Sequence, residues 1–225
     1  MQTDKLSREI VRKCMSILKE ELWGRVITNY MVINYEKAKA GNLHSVLQYA
    51  LIKAGLQAGI LAIPEYRIRL KPPLDPFEKC KLSKKKMHVY RADVGFLQDT
   101  DKPQLIGFGE AYTLDSAHSC CKPLEVEELK WVTSRVKIPY ALKHGNFKPT
   151  SKPFVIIVTV LPTHAERTPS WKDQRKLLNN SKNYYEVFSP KWKELIQIVI
   201  SKGCIGHLVI IKERGEIEYY SGKSN

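Results

Sequence analysis

The sequence predicts an α/β fold in which a mixed central β-sheet is flanked by helices, and three observations carry that prediction. Residues 154–161, FVIIVTVL, are apolar on both faces, the pattern of a strand buried between two layers. Residues 90–113, YRADVGFLQDTDKPQLIGFGEAYT, sit within two apolar, β-branched and aromatic runs, 89–98 and 104–114. Turn residues at 99–103 separate the runs, as in a β-hairpin. Helical periodicity precedes and follows these strands, so the two kinds of element interleave along the chain. Of the 225 residues, 43% are hydrophobic, enough for a sizeable core.

Taken in order, Leu6, Ile10, Cys14, Ile17, Leu18 and Leu22 fall at helical spacing and predict an amphipathic helix over 4–22. Residues 26–35 are apolar and β-branched and fit either a strand or a helix. A short linker or helix end at 37–42 separates an N-terminal helical extension, 1–40, from the α/β domain, 41–225. Asn42 can cap a second helix over 43–56, with Val46, Leu47, Ala50, Leu51 and Ala54 on one side. A first strand follows at 60–70, where Tyr66, Ile68 and Leu70 alternate with Arg67, Arg69 and Lys71. After the hairpin, 125–143 has a helical pattern through Val126, Leu129, Val132 and Val136, interrupted by Pro139. Residues 163–170 read as a turn region, and 171–178 and 190–202 as helices. The second of these helices carries Trp192, Leu195, Ile196 and Val199 on one face. Strands at 205–212 and 216–220 close the chain.

Charge points to a partner. There are 37 Lys and Arg against 23 Asp and Glu, a net +14, which favours a polyanion: nucleic acid first, an anionic membrane surface second. No run of about 20 apolar residues is present, so no spanning helix is expected, and the N-terminus lacks a signal-peptide core. Five cysteines at irregular spacing, with no CxxC pair, suit reduced thiols in an intracellular, cytoplasmic protein.

The hairpin holds the chemistry. A symmetric antiparallel register centred near residue 101 pairs Val94 with Gly109 and Phe96 with Gly107, and sets Asp93 opposite Glu110. Asp93, Glu110 and Tyr112 then share one face. Adjacent carboxylates repel unless a cation lies between them, and oxygen ligands suit Mg²⁺ or Mn²⁺. Two solvated acids on a half-exposed hairpin are the alternative. Lys84, Lys85 and Lys86 lie in a Pro- and Lys-rich loop, 72–86, just before the hairpin. Such a run is either a solvated loop or a contact for a phosphate backbone. Lys172, Arg175 and Lys176, with Tyr184 and Tyr185 nearby, form a second basic and aromatic stretch suited to nucleic acid, or else an ordinary charged helix.

The order helix, strand, Asp-bearing strand, Glu-bearing strand, helix, buried strand resembles the core of the PD-(D/E)xK nuclease superfamily. The match covers 43–161, with Ala92-Asp93-Val94 and Gly109-Glu110-Ala111-Tyr112 as its motifs. The resemblance implies a restriction-endonuclease-like core in which Asp93 and Glu110 hold Mg²⁺ or Mn²⁺. It also implies a lysine two residues past the Glu that stabilises charge on the phosphate. Three positions depart from the pattern. Ala92 stands where proline is common. The helix at 43–56 lacks the frequent glutamate, leaving His44 or Gln48 as its metal-capable residues. Tyr112 occupies the lysine position, and a phenol is neutral at pH 7. Lys130, on the helix after the hairpin, is the first candidate for a relocated lysine and Lys122 the second.

The expected function is therefore a Mg²⁺-dependent endonuclease that hydrolyses phosphodiester bonds in nucleic acid, DNA first. The expected catalytic set is Asp93, Glu110, Lys130 and Tyr112. A catalytically inactive nucleic-acid-binding protein of the same fold is the alternative, and an interaction protein docking through the first helix is a third reading. A homodimer is compatible with all three. Glu65 is considered as an auxiliary ligand and His164 as a loop histidine near the acids. His118-Ser119-Cys120-Cys121 is half of a zinc site without its other half.

Overall fold

The computed structural model describes residues 3–20, 41–70, 89–113, 123–161, 184–212 and 216–222. The described residues form four helices and six strands: α1 (Thr3–Ser16), α2 (Gly41–Gln57), β1 (Leu61–Arg69), β2 (Val89–Gln98), β3 (Gln104–Tyr112), α3 (Pro123–His144), β4 (Phe154–Val160), α4 (Tyr184–Ser201), β5 (Ile205–Ile211) and β6 (Ile217–Tyr220). The strands form one open sheet in sequence order, β1-β2-β3-β4-β5-β6. β1, β2 and β3 are an antiparallel meander, β3, β4 and β5 run parallel, and β6 returns antiparallel. α3 lies in the crossover from β3 to β4 and α4 in that from β4 to β5, as parallel neighbours require.

The sheet separates two apolar layers. On one side Leu6, Ile10, Cys14 and Leu18 pack with Leu47, Leu51 and Ala54 of α2 against Val94, Phe96, Ile156 and Val158. The first helix is thus part of the same core layer as α2. On the other side Ile138 and Leu142 of α3 and Phe188, Trp192 and Leu195 of α4 pack against Ala92, Phe108, Val155 and Ile157. β4 and β5 lie between the layers and are buried along their whole length, which is why their sequences are apolar on both faces. Close approach of α2 depends on missing side chains: a Cβ on Gly55 would stand 2.8 Å from Ala62 Cβ and 3.0 Å from the Phe96 ring.

Val94 stands opposite Gly109 and Phe96 opposite Gly107, as the sequence predicts, but the register shifts after Phe96 so that Leu97 faces Leu105, and Asp93 and Glu110 lie just beyond the last paired rung. Two details of α3 differ from expectation. The helix continues through Pro139, where the sequence suggests an interruption. Leu129, Val132 and Val136 face solvent, while Ser134, Ile138, Ala141 and Leu142 are buried. Their apolar spacing marks the helix, but the side that packs is a different one. Residues 26–35, 72–86, 163–170 and 171–178 lie outside the described residues. Among the described residues, no helix is long and apolar enough to cross a membrane.

Candidate active site

The β1–β2 and β2–β3 ladders lose pairing in the same row. β1 and β2 pair at Pro64 with Val94 and at Tyr66 with Ala92, and the row between them holds Glu65 and Asp93. Glu65 has φ 52°, the left-handed region that a residue with a Cβ rarely adopts. Both strands change core layers across this row. Ala62, Val94 and Phe96 belong to the α1–α2 side, whereas Ile68, Tyr90 and Ala92 belong to the α3–α4 side. The β2–β3 ladder stops at Val94 and Gly109, one rung before Asp93 and Glu110. In place of the next ladder bond, the Ala111 N–H donates to Asp93 Oδ2 at 2.7 Å. A side chain substitutes for backbone there, and the strands open around two carboxyl groups.

Helix α2 closes this opening with one face. His44 and Gln48 are four residues apart, hence adjacent on the helix surface. His44 Nε2 lies 3.2 Å from Asp93 Oδ1. The Gln48 amide donates to the Asp93 carbonyl at 2.8 Å and to Glu65 Oε1 at 3.1 Å. Arg91 pairs with the other oxygen of Glu65. Asp93 therefore has both oxygens engaged and its backbone pinned.

Glu110 is 5% exposed, and Tyr90, itself buried, donates to its Oε1 at 2.7 Å. Burial, then the charge of Asp93, pushes the Glu110 pKa well above the usual carboxylate range; hydrogen-bonding contact between the two carboxyls adds to this and the Tyr90 bond opposes it. The hydrogen bond to Asp93 raises the His44 pKa, against a smaller effect of burial. Without a cation, Glu110 therefore keeps its proton to higher pH than an ordinary carboxyl. Lys130 reaches over from α3 to the Thr113 carbonyl at the end of β3, and its charge is felt at His44.

Of the expected residues, Asp93, Glu110 and Lys130 thus converge. Tyr112 follows the pair on β3 but turns to α3 and α4: its hydroxyl bonds Ser134 at 2.6 Å and its ring lies 4.6 Å from that of Trp192. Lys84, Lys85, Lys86, Lys122, His164, Lys172, Arg175, Lys176 and the His118-Ser119-Cys120-Cys121 run lie outside the described residues. Tyr90 and Arg91 were not anticipated. Their signal was proximity, three and two residues before Asp93, in a strand whose departure from alternation is invisible in sequence.

Among the described residues, no group of three or more His, Cys, Asp or Glu side chains is poised to hold a metal ion. Mg²⁺ is commonly bound by one or two carboxylates, with water and substrate phosphate completing its shell. A buried Glu110 carboxyl beside the partly buried Asp93 carboxyl is a pair of oxygen ligands of that kind, and these two residues would be the ones to hold such an ion. No protein-family model, curated protein or solved structure matches this chain.

Proposed function

We propose that the protein is a divalent-metal-dependent nuclease that hydrolyses phosphodiester bonds, with DNA the first expected substrate. The observation that carries this reading is the carboxyl pair of Asp93 and Glu110, set where three strands break their ladder and where burial makes a second negative charge costly without a cation. Strand order and sense support it: an antiparallel meander bearing the two acids, followed by parallel strands through helical crossovers, accords with a restriction-endonuclease-like core. The net charge of +14 suits a polyanionic substrate.

Mg²⁺ or Mn²⁺ held there would neutralise charge on the scissile phosphate and lower the pKa of the attacking water. The chain's own residues prepare the place. Ala111 N–H and His44 fix the direction of the Asp93 carboxylate. The Tyr90 hydroxyl fixes Glu110. Lys130 brings the positive charge that Tyr112 does not supply, and phosphoryl transfer depends on positive charge near the phosphate more than on its position in sequence.

The second reading is a nucleic-acid-binding protein without catalysis, and the packing of Tyr112 against Trp192 favours it, since the usual lysine position is filled by a ring used for packing. Incubation with plasmid, linear duplex and branched DNA, in Mg²⁺, Mn²⁺ or chelator, separates the two. Metal-dependent cleavage supports the nuclease; salt-sensitive binding without cleavage supports the binding protein.

A further inference from the structure

We propose that the solvent face of the β1–β2 ribbon, carrying Arg67, Arg69 and Arg91, is the surface on which the phosphate backbone of a nucleic acid lies as it enters the site at Asp93. The proposal rests on the nuclease reading for its substrate class and adds a contact surface that the Lys-rich stretches did not suggest.

Ile68 packs into the α3–α4 layer, so its neighbours Arg67 and Arg69 project from the opposite side of the sheet. Tyr90 and Ala92 pack in the same layer, so Arg91 projects with them. Arg67 and Arg91 are direct cross-strand partners, and Arg69 faces Val89 one residue along from Ile68 and Tyr90. All three arginines are exposed. Like charges directly opposite each other destabilise an antiparallel pair. Glu65 offsets Arg91 alone; among the described residues, no carboxylate pairs with Arg67 or Arg69. The ribbon thus maintains an uncompensated positive strip, which a polyanion would neutralise.

Position links the strip to the site. Arg91 holds Glu65, Glu65 holds Gln48, and Gln48 holds the Asp93 backbone. Arg67 and Arg91 lie two residues beyond the row of Glu65 and Asp93, and Arg69 two further. Each step is about 7 Å along a strand, on the scale of consecutive phosphates in one nucleic acid strand. A guanidinium presents a planar fork that matches phosphate oxygens, which suits arginine to this role better than lysine.

The test is fluorescence anisotropy of labelled single-stranded DNA, duplex DNA and RNA with the full chain in chelator, over a series of salt concentrations. Arg67→Ala with Arg69→Ala should weaken binding roughly tenfold or more at low salt and reduce the log–log salt slope by about 2. Arg67→Lys with Arg69→Lys should keep most of the slope, which separates lost charge from lost folding. Lys202→Ala, exposed at the far end of α4, serves as the control and should leave the slope unchanged. Unaltered affinity and slope in the double alanine variant would overturn the proposal. So would a wild type that binds no nucleic acid but binds anionic phosphatidylserine vesicles through the same arginines. Cleavage by Asp93→Asn distinguishes the two failures. If Asp93→Asn abolishes cleavage while the arginine variants bind normally, the strip is wrong and the nuclease stands. If the arginine variants lose binding while Asp93→Asn still cleaves, the strip stands and the site is wrong.

Discussion

Glu110 is buried with its charge opposed by Asp93 and only Tyr90 to offset it. The sign of its effect on stability follows. In the unfolded chain the carboxyl ionises near its ordinary value of 4.5, while the folded chain holds the proton to higher pH. Above about pH 4.5 the unfolded state therefore binds fewer protons, and metal-free stability falls with rising pH until Glu110 itself ionises. Glu110→Gln supplies an amide that donates toward Asp93 and a carbonyl that accepts from Tyr90. Its melting temperature in chelator at pH 8 should exceed that of wild type by several degrees. The same variant should lose the rise in melting temperature that Mg²⁺ or Mn²⁺ gives wild type. A lower melting temperature in chelator would contradict the strained-pair account. At Lys130, alanine should reduce cleavage by orders of magnitude and leave binding nearly intact, whereas Tyr112→Phe should do little. Metal-dependent cleavage that survives Lys130→Ala would remove that lysine from the mechanism. Asp93 and Glu110 were legible because acids amid apolar strand residues are conspicuous. His44 and Gln48 were singled out on their helix, but that they grip Asp93, and that Tyr90 grips Glu110, was not legible, since it depends on how α2, β2 and β3 meet.

Elements are tied together by a buried histidine far from the acids. His207 of β5 contacts Tyr219 of β6 through Nδ1 at 2.9 Å and Ser7 of α1 through Nε2 at 2.8 Å. Ser7 already donates its proton to the Asp4 carbonyl, so Nε2–H donates to Ser7 and Nδ1 accepts from Tyr219. Burial, with a smaller push from Arg8, lowers the His207 pKa from 6.5 to about 4. Between those values the unfolded chain binds the proton and the folded chain does not, so stability is full above pH 6.5 and is lost as pH falls toward 4. The loss is worth up to ~3 kcal/mol. Urea denaturation of wild type and His207→Gln at pH 7.5 and pH 5 should show a smaller acid-induced loss in the variant. Equal losses would mean that another group governs the acid limb. At this scale the sequence was informative where pattern and burial agree: β4, β5 and the Trp192 face of α4 follow from their apolar spacing. It left the packed side of α3 open: Ile138, Ala141 and Leu142 are buried, while Leu129, Val132 and Val136 are exposed. Periodicity reveals a helix but does not say which of two apolar stripes meets the sheet.

At the scale of the molecule, a basic chain carries two helical layers on one sheet among its described residues, with Asp93 and Glu110 on the neighbouring strands β2 and β3. Binding to nucleic acid should weaken steeply with salt, because Lys and Arg displace condensed counterions; six phosphate contacts imply a log–log slope of about −5. A salt-independent interaction would favour a protein partner. The α/β class and the order of elements along the chain were legible from the hairpin, the helical spacing and the doubly apolar strand at 154–161. The paired break at Glu65 and Asp93 was not, because a positive φ at a glutamate leaves no trace in residue type. The central claim is that Asp93 and Glu110 hold the cation that drives phosphodiester hydrolysis. It is tested most directly by cleavage of labelled DNA in Mn²⁺ or Mg²⁺ by wild type and Asp93→Asn, each repeated in chelator. The account predicts cleavage by wild type with metal, none in chelator, and a loss of at least a hundredfold in Asp93→Asn. Cleavage that persists in chelator or in Asp93→Asn, or its complete absence from wild type with either metal, would contradict it.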